Sequence, residues 1–299
     1  MKRQFKLYLI TLFMLTVYLQ HSVLALEKKS VIVSISPQKY FVEAIGGGFV
    51  ETTVIVSPNQ SPANYEPSPS QMIIMSKADI YFAVGVPFEN AWLEKFTRIN
   101  PAMKVVHTDA GIKKRPIDRH ESHAPPTVSK HEHNHHGPMD PHIWLSPPLV
   151  KIQAEHTRNG LILIDPAHHK IYERNYSQFI ARIEGLDKEL KTLFSKDTRQ
   201  KKFLVFHPSW GYFADAYGLT QISIEIEGKN PKAREVKNLI EFARQQHIQI
   251  IFIQPQFSTK QAEIIANEIN GQVIFADPLA ENWYGNIRAV AMSIKQGLR

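Results

Sequence analysis

Short runs of β-branched and aromatic residues alternate with amphipathic stretches through the first third of the chain. Ser30 to Ser36, Thr52 to Val56, Ile80 to Val84 and Lys104 to His107 read as strands, and helical spacing begins near Gln38, Ser68 and Phe88. The alternation returns after residue 201, with strands predicted at Phe203 to Phe206, Gln221 to Ile226, Ile248 to Ile253 and Gln272 to Ala276, and helices between them and at the C-terminus. Strand and helix in alternation build parallel sheets, so the expected fold class is α/β with two parallel-sheet lobes.

The most regular segment lies between these halves. Asp165 is placed to cap a helix whose first residue is Pro166, and Tyr172, Tyr176, Phe179, Ile183, Leu186, Leu190 and Leu193 then recur at alternating steps of four and three. A helix from Pro166 to about Lys196 spans roughly 45 Å at 1.5 Å per residue, more than one small domain needs. It is either a core helix on one sheet or, as the unbroken stripe favours, one long rigid helix joining both lobes. The expected boundaries are 26–164 for the N-terminal lobe, 165–197 for the linking helix and 198–299 for the C-terminal lobe.

The N-terminus reads as an export signal. Lys2, Arg3 and Lys6 precede an uncharged apolar run from Leu7 to Leu19, and the small residues end at Ala25, after which cleavage is expected. The run is too short to span a bilayer as a helix, and no other stretch is apolar enough, so no stable membrane insertion is expected. Removing the segment lowers the formal charge from +7 to +4. No Lys/Arg stripe interleaved with aromatics argues for nucleic acid. The chain has no cysteine, which excludes disulfides, thiolate ligands and a lipid-modified cysteine, but it has 14 histidines.

Six of them, His120, His123, His131, His133, His135 and His136, fall in 112–139, a stretch without apolar period that also carries Pro116, Pro125, Pro126 and Pro138. This is expected to be a disordered loop, either a polar linker or a weak, multidentate metal-binding tract. Three further residues are placed to converge. His207 and Asp277 each directly follow a predicted strand, at the edge that faces the ligand crevice in open parallel sheets, and His142 sits between prolines in Asp140-Pro141-His142-Ile143-Trp144-Leu145-Ser146-Pro147. Each alone is as compatible with a hydrogen-bonded structural residue or a helix start. Together they make a candidate metal site in the cleft between the lobes.

Several motifs occur in the order found in the metal-binding subunits of bacterial zinc and manganese ABC importers, which the chain resembles over essentially its whole mature length. They are 61–70 (Ser-Pro-Ala-Asn-Tyr-Glu-Pro-Ser-Pro-Ser), 140–145 (Asp-Pro-His-Ile-Trp-Leu), 206–213 (Phe-His-Pro-Ser-Trp-Gly-Tyr-Phe), 254–257 (Gln-Pro-Gln-Phe) and 277–280 (Asp-Pro-Leu-Ala). The resemblance implies a monomeric periplasmic carrier with no catalytic residues, holding Zn2+ as cargo and delivering it to an ABC permease with a cytoplasmic ATPase behind it. It also implies that His142, His207 and Asp277 are ligands. His at 207, where manganese carriers have a carboxylate, favours zinc over Mn2+. Two positions depart from the family: Ala63 stands where its first ligand, a histidine, is found, and Gln254 stands where it has an acidic residue. Water, Glu66 or a loop histidine such as His133 or His135 then remain for the fourth place. The competing readings are a periplasmic zinc buffer without a permease, a zinc hydrolase, which the absence of any His-Glu-x-x-His pair disfavours, and an adhesin.

Ordering a flexible loop costs about 1 to 2 kcal/mol per residue, which erodes its net affinity. Deleting Glu121 to Gly137 is therefore expected to remove weak zinc equivalents and leave the tight one, as calorimetry can read directly.

Overall fold

The computed structural model describes residues 28–57, 59–117, 139–195, 201–225 and 231–298. The expected export segment and its cut, and the six histidines of the 112–139 stretch, lie outside the described residues. Two four-stranded sheets, parallel throughout, form the lobes. The first holds β1 (Lys29–Val33), β2 (Val50–Val54), β3 (Ile80–Ala83) and β4 (Lys104–His107) in the order β2-β1-β3-β4. The second repeats it with β5 (Lys202–Val205), β6 (Thr220–Ser223), β7 (Ile250–Ile253) and β8 (Gln272–Phe275), ordered β6-β5-β7-β8. The apolar runs extend past the strands at their carboxyl ends because the chain stays buried there, at Ser34, Val84 and Ala276, as it turns into the crevice.

The helices are α1 (Ser36–Gly46), α2 (Pro69–Met75), α3 (Pro87–Ile99), α4 (Pro147–Ile164), α5 (His169–Ser195), α6 (Gly211–Ala216), α7 (Ala233–Gln245), α8 (Lys260–Glu268) and α9 (Trp283–Gly297). The long helix is α5, 27 residues, and its stripe is buried at Tyr172, Phe179, Ile183, Leu186 and Leu190, with Tyr176 and Leu193 half-buried. Its start differs from the expectation. Asp165 makes no capping bond to the backbone, and Pro166–His168 form a 3-10 turn. The carboxylate instead takes the Tyr172 hydroxyl at 2.6 Å and pairs with His168 Nδ1 at 2.7 Å, tying the turn to the first buried residue of the stripe. Helix α4 was not expected from the pattern. Its buried face includes Ala154, Thr157 and Gly160, small or polar residues that dilute the apolar signal. A Cβ at Gly160 would stand 2.5 Å from the Phe82 ring, so glycine lets α4 approach β3 closely.

Alternate residues of the second sheet face two different cores. Leu204, Phe206, Ile251 and Ile253 pack under α7 and α8, whereas Phe203, Val205, Ile250 and Phe252 join a cluster that runs through α5 and α9 into the first lobe. Two indoles stitch the halves: Trp144 Nε1 donates to Pro278 O at 2.7 Å, and Trp283 Nε1 donates to Trp144 O at 2.6 Å. The Trp283 ring meets Phe41 edge-on, with centroids 5.3 Å apart.

The stretch expected as a disordered loop is structured at both ends. Pro116 and Met139 pair as an antiparallel bridge, Arg115 N donates to Tyr212 Oη at 3.0 Å, and Asp140 N donates to Arg115 O at 2.8 Å. These bonds satisfy backbone groups that a loop would leave to water.

At the carboxyl edge of the first sheet, Glu89 is buried. It accepts from Ser34 Oγ, from Val84 N at 2.9 Å and from Gly85 N at 2.7 Å, which fixes the turn at Gly85, where φ is +83°. Burial outweighs these bonds and pushes its carboxyl from 4.5 up to about 7. Because the folded value lies above the unfolded one, stabilisation by the neutral form is complete below about 4.5 and is lost as pH rises through about 7, on the order of 3 kcal/mol in all. Carbon-13 titration of the Glu89 carboxyl should show a midpoint near 7, and a midpoint below 5 would contradict this account.

Candidate metal centre

In each sheet the strand order reverses direction between the first and third strands, and a crevice opens at the carboxyl ends of that pair. In the second sheet this point lies between β5 and β7, where His207 and Gln254 follow the last rungs. His142 comes from the first lobe, in the turn that leads through a 3-10 segment (Ile143–Leu145) into α4. The two imidazoles meet across the cleft with ring centroids 5.3 Å apart, nearly perpendicular.

Both rings are held from behind by carboxylates. Asp140 Oδ1 bonds His142 Nδ1 at 2.7 Å and also accepts from His142 N at 2.9 Å. Glu225 Oε2, which follows β6, bonds His207 Nδ1 at 2.9 Å. With Nδ1 engaged in each ring, Nε2 is the nitrogen left to bind an ion, and the carboxylates fix its direction and raise its basicity. Burial lowers the pKa of His142 despite the opposing pull of Asp140, so the ring stays neutral and able to ligate at lower pH than a free imidazole.

Gln254 clamps the backbone of His207. Its Nε2 donates to His207 O at 2.8 Å and to Ser209 Oγ at 3.0 Å, and its Oε1 accepts from His207 N at 3.2 Å. A carboxylate could accept the last bond but could not donate the first, which accounts for an amide at this position. Phe257 stacks on the His207 ring at 5.4 Å. Across the cleft Tyr212 Oη donates to Asp140 O at 2.9 Å, and Gly211 packs so tightly that a Cβ would lie 1.9 Å from Arg115 Nη1 and 3.0 Å from Asp140 Oδ2.

The other expected site residues are placed as follows. Asp277 follows β8, and its Oδ1 accepts from Leu279 N at 2.9 Å and from Gln256 Nε2 at 3.3 Å. Its neighbours Pro278 and Leu279, with Gln256, form the cleft wall, so the carboxylate stands one hydrogen bond behind that wall. Ala63 lines a cavity of about 130 Å³ beside the two rings, whereas Glu66 in the same loop does not reach it; both residues are exposed. His133 and His135 lie outside the described residues, although Ile117 and Met139, at either end of that stretch, line the cavity. Thus the structure brings together His142 and His207, and among the described residues no group of three His, Cys, Asp or Glu side chains is close enough to hold a metal.

Sequence reasoning missed Asp140, Glu225 and Gln254 as supports of the site. Asp140 carried a signal, two residues before a proline-flanked histidine. Glu225 carried none, since it reaches His207 only through the pairing of β6 with β5.

Two parallel-sheet lobes on a common helix, with two carboxylate-braced imidazoles at the crevice between them, agree with a family match that makes the chain a metal-binding substrate protein of an ABC importer. The profile of one family, described as zinc-uptake complex component A, periplasmic (ZnuA), matches residues 31–297, and the chain belongs to that family. Its members are transport-binding proteins, not enzymes. A solved structure described as ZnuA is similar at 41% identity and TM-score 0.81, covering 91% of this chain and 100% of that one. Another, described as a ZnuA deletion mutant with zinc bound, is 40% identical at TM-score 0.81, covering 91% and 98%. The manganese ABC transporter substrate-binding lipoprotein PsaA of Streptococcus anginosus is 28% identical over 249 residues, 79% of this chain and 76% of that one. Among the described residues no helix is long and apolar enough to cross a membrane.

Carboxylates behind ligating histidines typically contribute 10-fold to 100-fold to metal affinity. Asp140→Asn and Glu225→Gln are each expected to weaken metal binding by about that factor while leaving the circular dichroism spectrum unchanged, as competition with a chromophoric chelator can test.

Proposed function

We propose that this protein captures zinc in the periplasm, after cleavage behind Ala25, and delivers it to the membrane subunit of an ABC permease. His142 and His207 bind the ion through Nε2, and Asp277 is the third ligand, its carboxylate exchanging Gln256 for the metal. The observation that carries the reading is the pair of carboxylate-braced imidazoles, one from each lobe, facing each other at 5.3 Å between centroids. Two imidazoles with carboxylate support suit zinc, whereas manganese favours oxygen donors. The zinc-bound relative at 40% identity supports the same cargo, and the manganese carrier at 28% makes manganese the competitor to test.

His207→Ala is expected to abolish most of the zinc affinity, and a variant that titrates like the parent would disprove the site. Since imidazole must be neutral to ligate, affinity should fall as pH drops below about 6.5. Burial lowers the pKa of His142, so its share of the loss comes at lower pH. Calorimetry with zinc and manganese at pH 5, 6, 7 and 8 reads both the acid loss and the preference, and equal affinity for the two ions would argue against an imidazole site.

A further inference from the structure

We propose that the cleft takes up, together with the metal, a small neutral nitrogen heteroaromatic of the imidazole class, which ligates the ion from the cavity beside Ala63. This rests on the reading that His142 and His207 hold the metal.

The cavity is about 130 Å³, and the wall around the imidazole pair includes Pro62, Ala63, Met139, Phe257, Pro278 and Leu279. An apolar cavity of about 150 Å³ accommodates benzene, so a five-membered ring fits this one. The lining is mostly apolar, its polar members besides the two imidazoles being Ser61, Gln254 and Gln256, and both ends of the Gln254 amide are already engaged with His207, so a flat ring finds apolar contact over most of its surface. Ala63 contributes only a methyl group on the first-lobe side, which leaves the ring unobstructed there. On the opposite side Phe257, already stacked on His207 at 5.4 Å, presents an aromatic surface.

Zinc takes four donors. Two imidazoles are in place, Asp277 is one hydrogen bond from the wall, and the cavity those residues line opens directly onto the imidazole pair, where a fourth donor can enter. Charge selects its kind. Asp140 and Glu225 already place a carboxylate behind each imidazole, so a further anionic ligand meets like charge while a neutral one does not. A neutral ring nitrogen also matches the softness of zinc.

The test is a zinc competition titration of the full chain with and without imidazole, beside the Ala63→His variant under the same conditions. Imidazole also binds free zinc, so the difference between the two proteins is the quantity read. With imidazole at ten times its own dissociation constant from the zinc-loaded protein, linkage predicts about tenfold tighter zinc binding by the wild type. Ala63→His, whose introduced side chain fills the cavity, should gain nothing. X-ray absorption of the wild-type zinc complex should gain one imidazole neighbour on addition. An equal response in both proteins, or three imidazoles around zinc with none added, would overturn the inference. Undiminished zinc affinity in His207→Ala would defeat the metal site itself, whereas tight zinc binding without an imidazole response would defeat only the added ligand.

Discussion

Two buried indole N–H groups set the geometry of the cleft. Trp144 donates to the carbonyl of Pro278 and Trp283 donates to the carbonyl of Trp144, so each lobe supplies a donor that only the other can satisfy. Each such bond contributes about 0.5 to 1.5 kcal/mol net, and both would be lost together if the lobes parted. Trp144 stands two residues after His142, and Pro278 directly follows Asp277. The stitch therefore fixes the spacing of the proposed ligands along with that of the lobes, and the tyrosine bridge from Tyr212 to Asp140 repeats the arrangement on the other side of His142.

Within that frame the site is built to hold its two imidazoles in one orientation. Burial lowers the pKa of His142, while Asp140 fixes which of its nitrogens faces the cleft. Glu225 does the same for the His207 ring, and Gln254 holds the His207 main chain at both its N–H and its carbonyl. An ion arriving there meets donors that need little reorientation, and so little of its binding free energy is spent on ordering the site.

The lobes and the long helix were legible because their signals are local. β-branched runs mark the strands, and seven apolar residues at alternating steps of four and three mark α5. The placement of His207 and Asp277 just past strands of the second sheet was legible through the rule that crevices open at carboxyl ends of parallel strands, whereas the distance of the Asp277 carboxylate from the imidazole pair was not. What escaped depends on tertiary pairing or on small residues. Glu225 lies 18 residues from the histidine it supports, and Gln254 lies 47 away. Helix α4 buries Thr157 and Gly160 where a hydrophobic stripe would have announced it, because close packing against Phe82 leaves no room for larger side chains. Asp165 looked like a cap because the residue type and the following proline fit one, but the hydroxyl of Tyr172 competes for the same carboxylate.

The last helix has a bearing on how the chain must fold. Ile287, Val290, Ala291 and Ile294 of α9 belong to the cluster that also contains Phe41 and Val33 from the first strand and helix, more than 240 positions earlier. Residues so distant in sequence pay a large loop-closure entropy before they touch, which slows folding. During synthesis part of this shared cluster stays uncovered until α9 has been made, so its completion does not proceed lobe by lobe. Loss of this fifteen-residue helix would expose apolar surface of the shared cluster, and β1, α1 and α9 are in that sense a single structural unit.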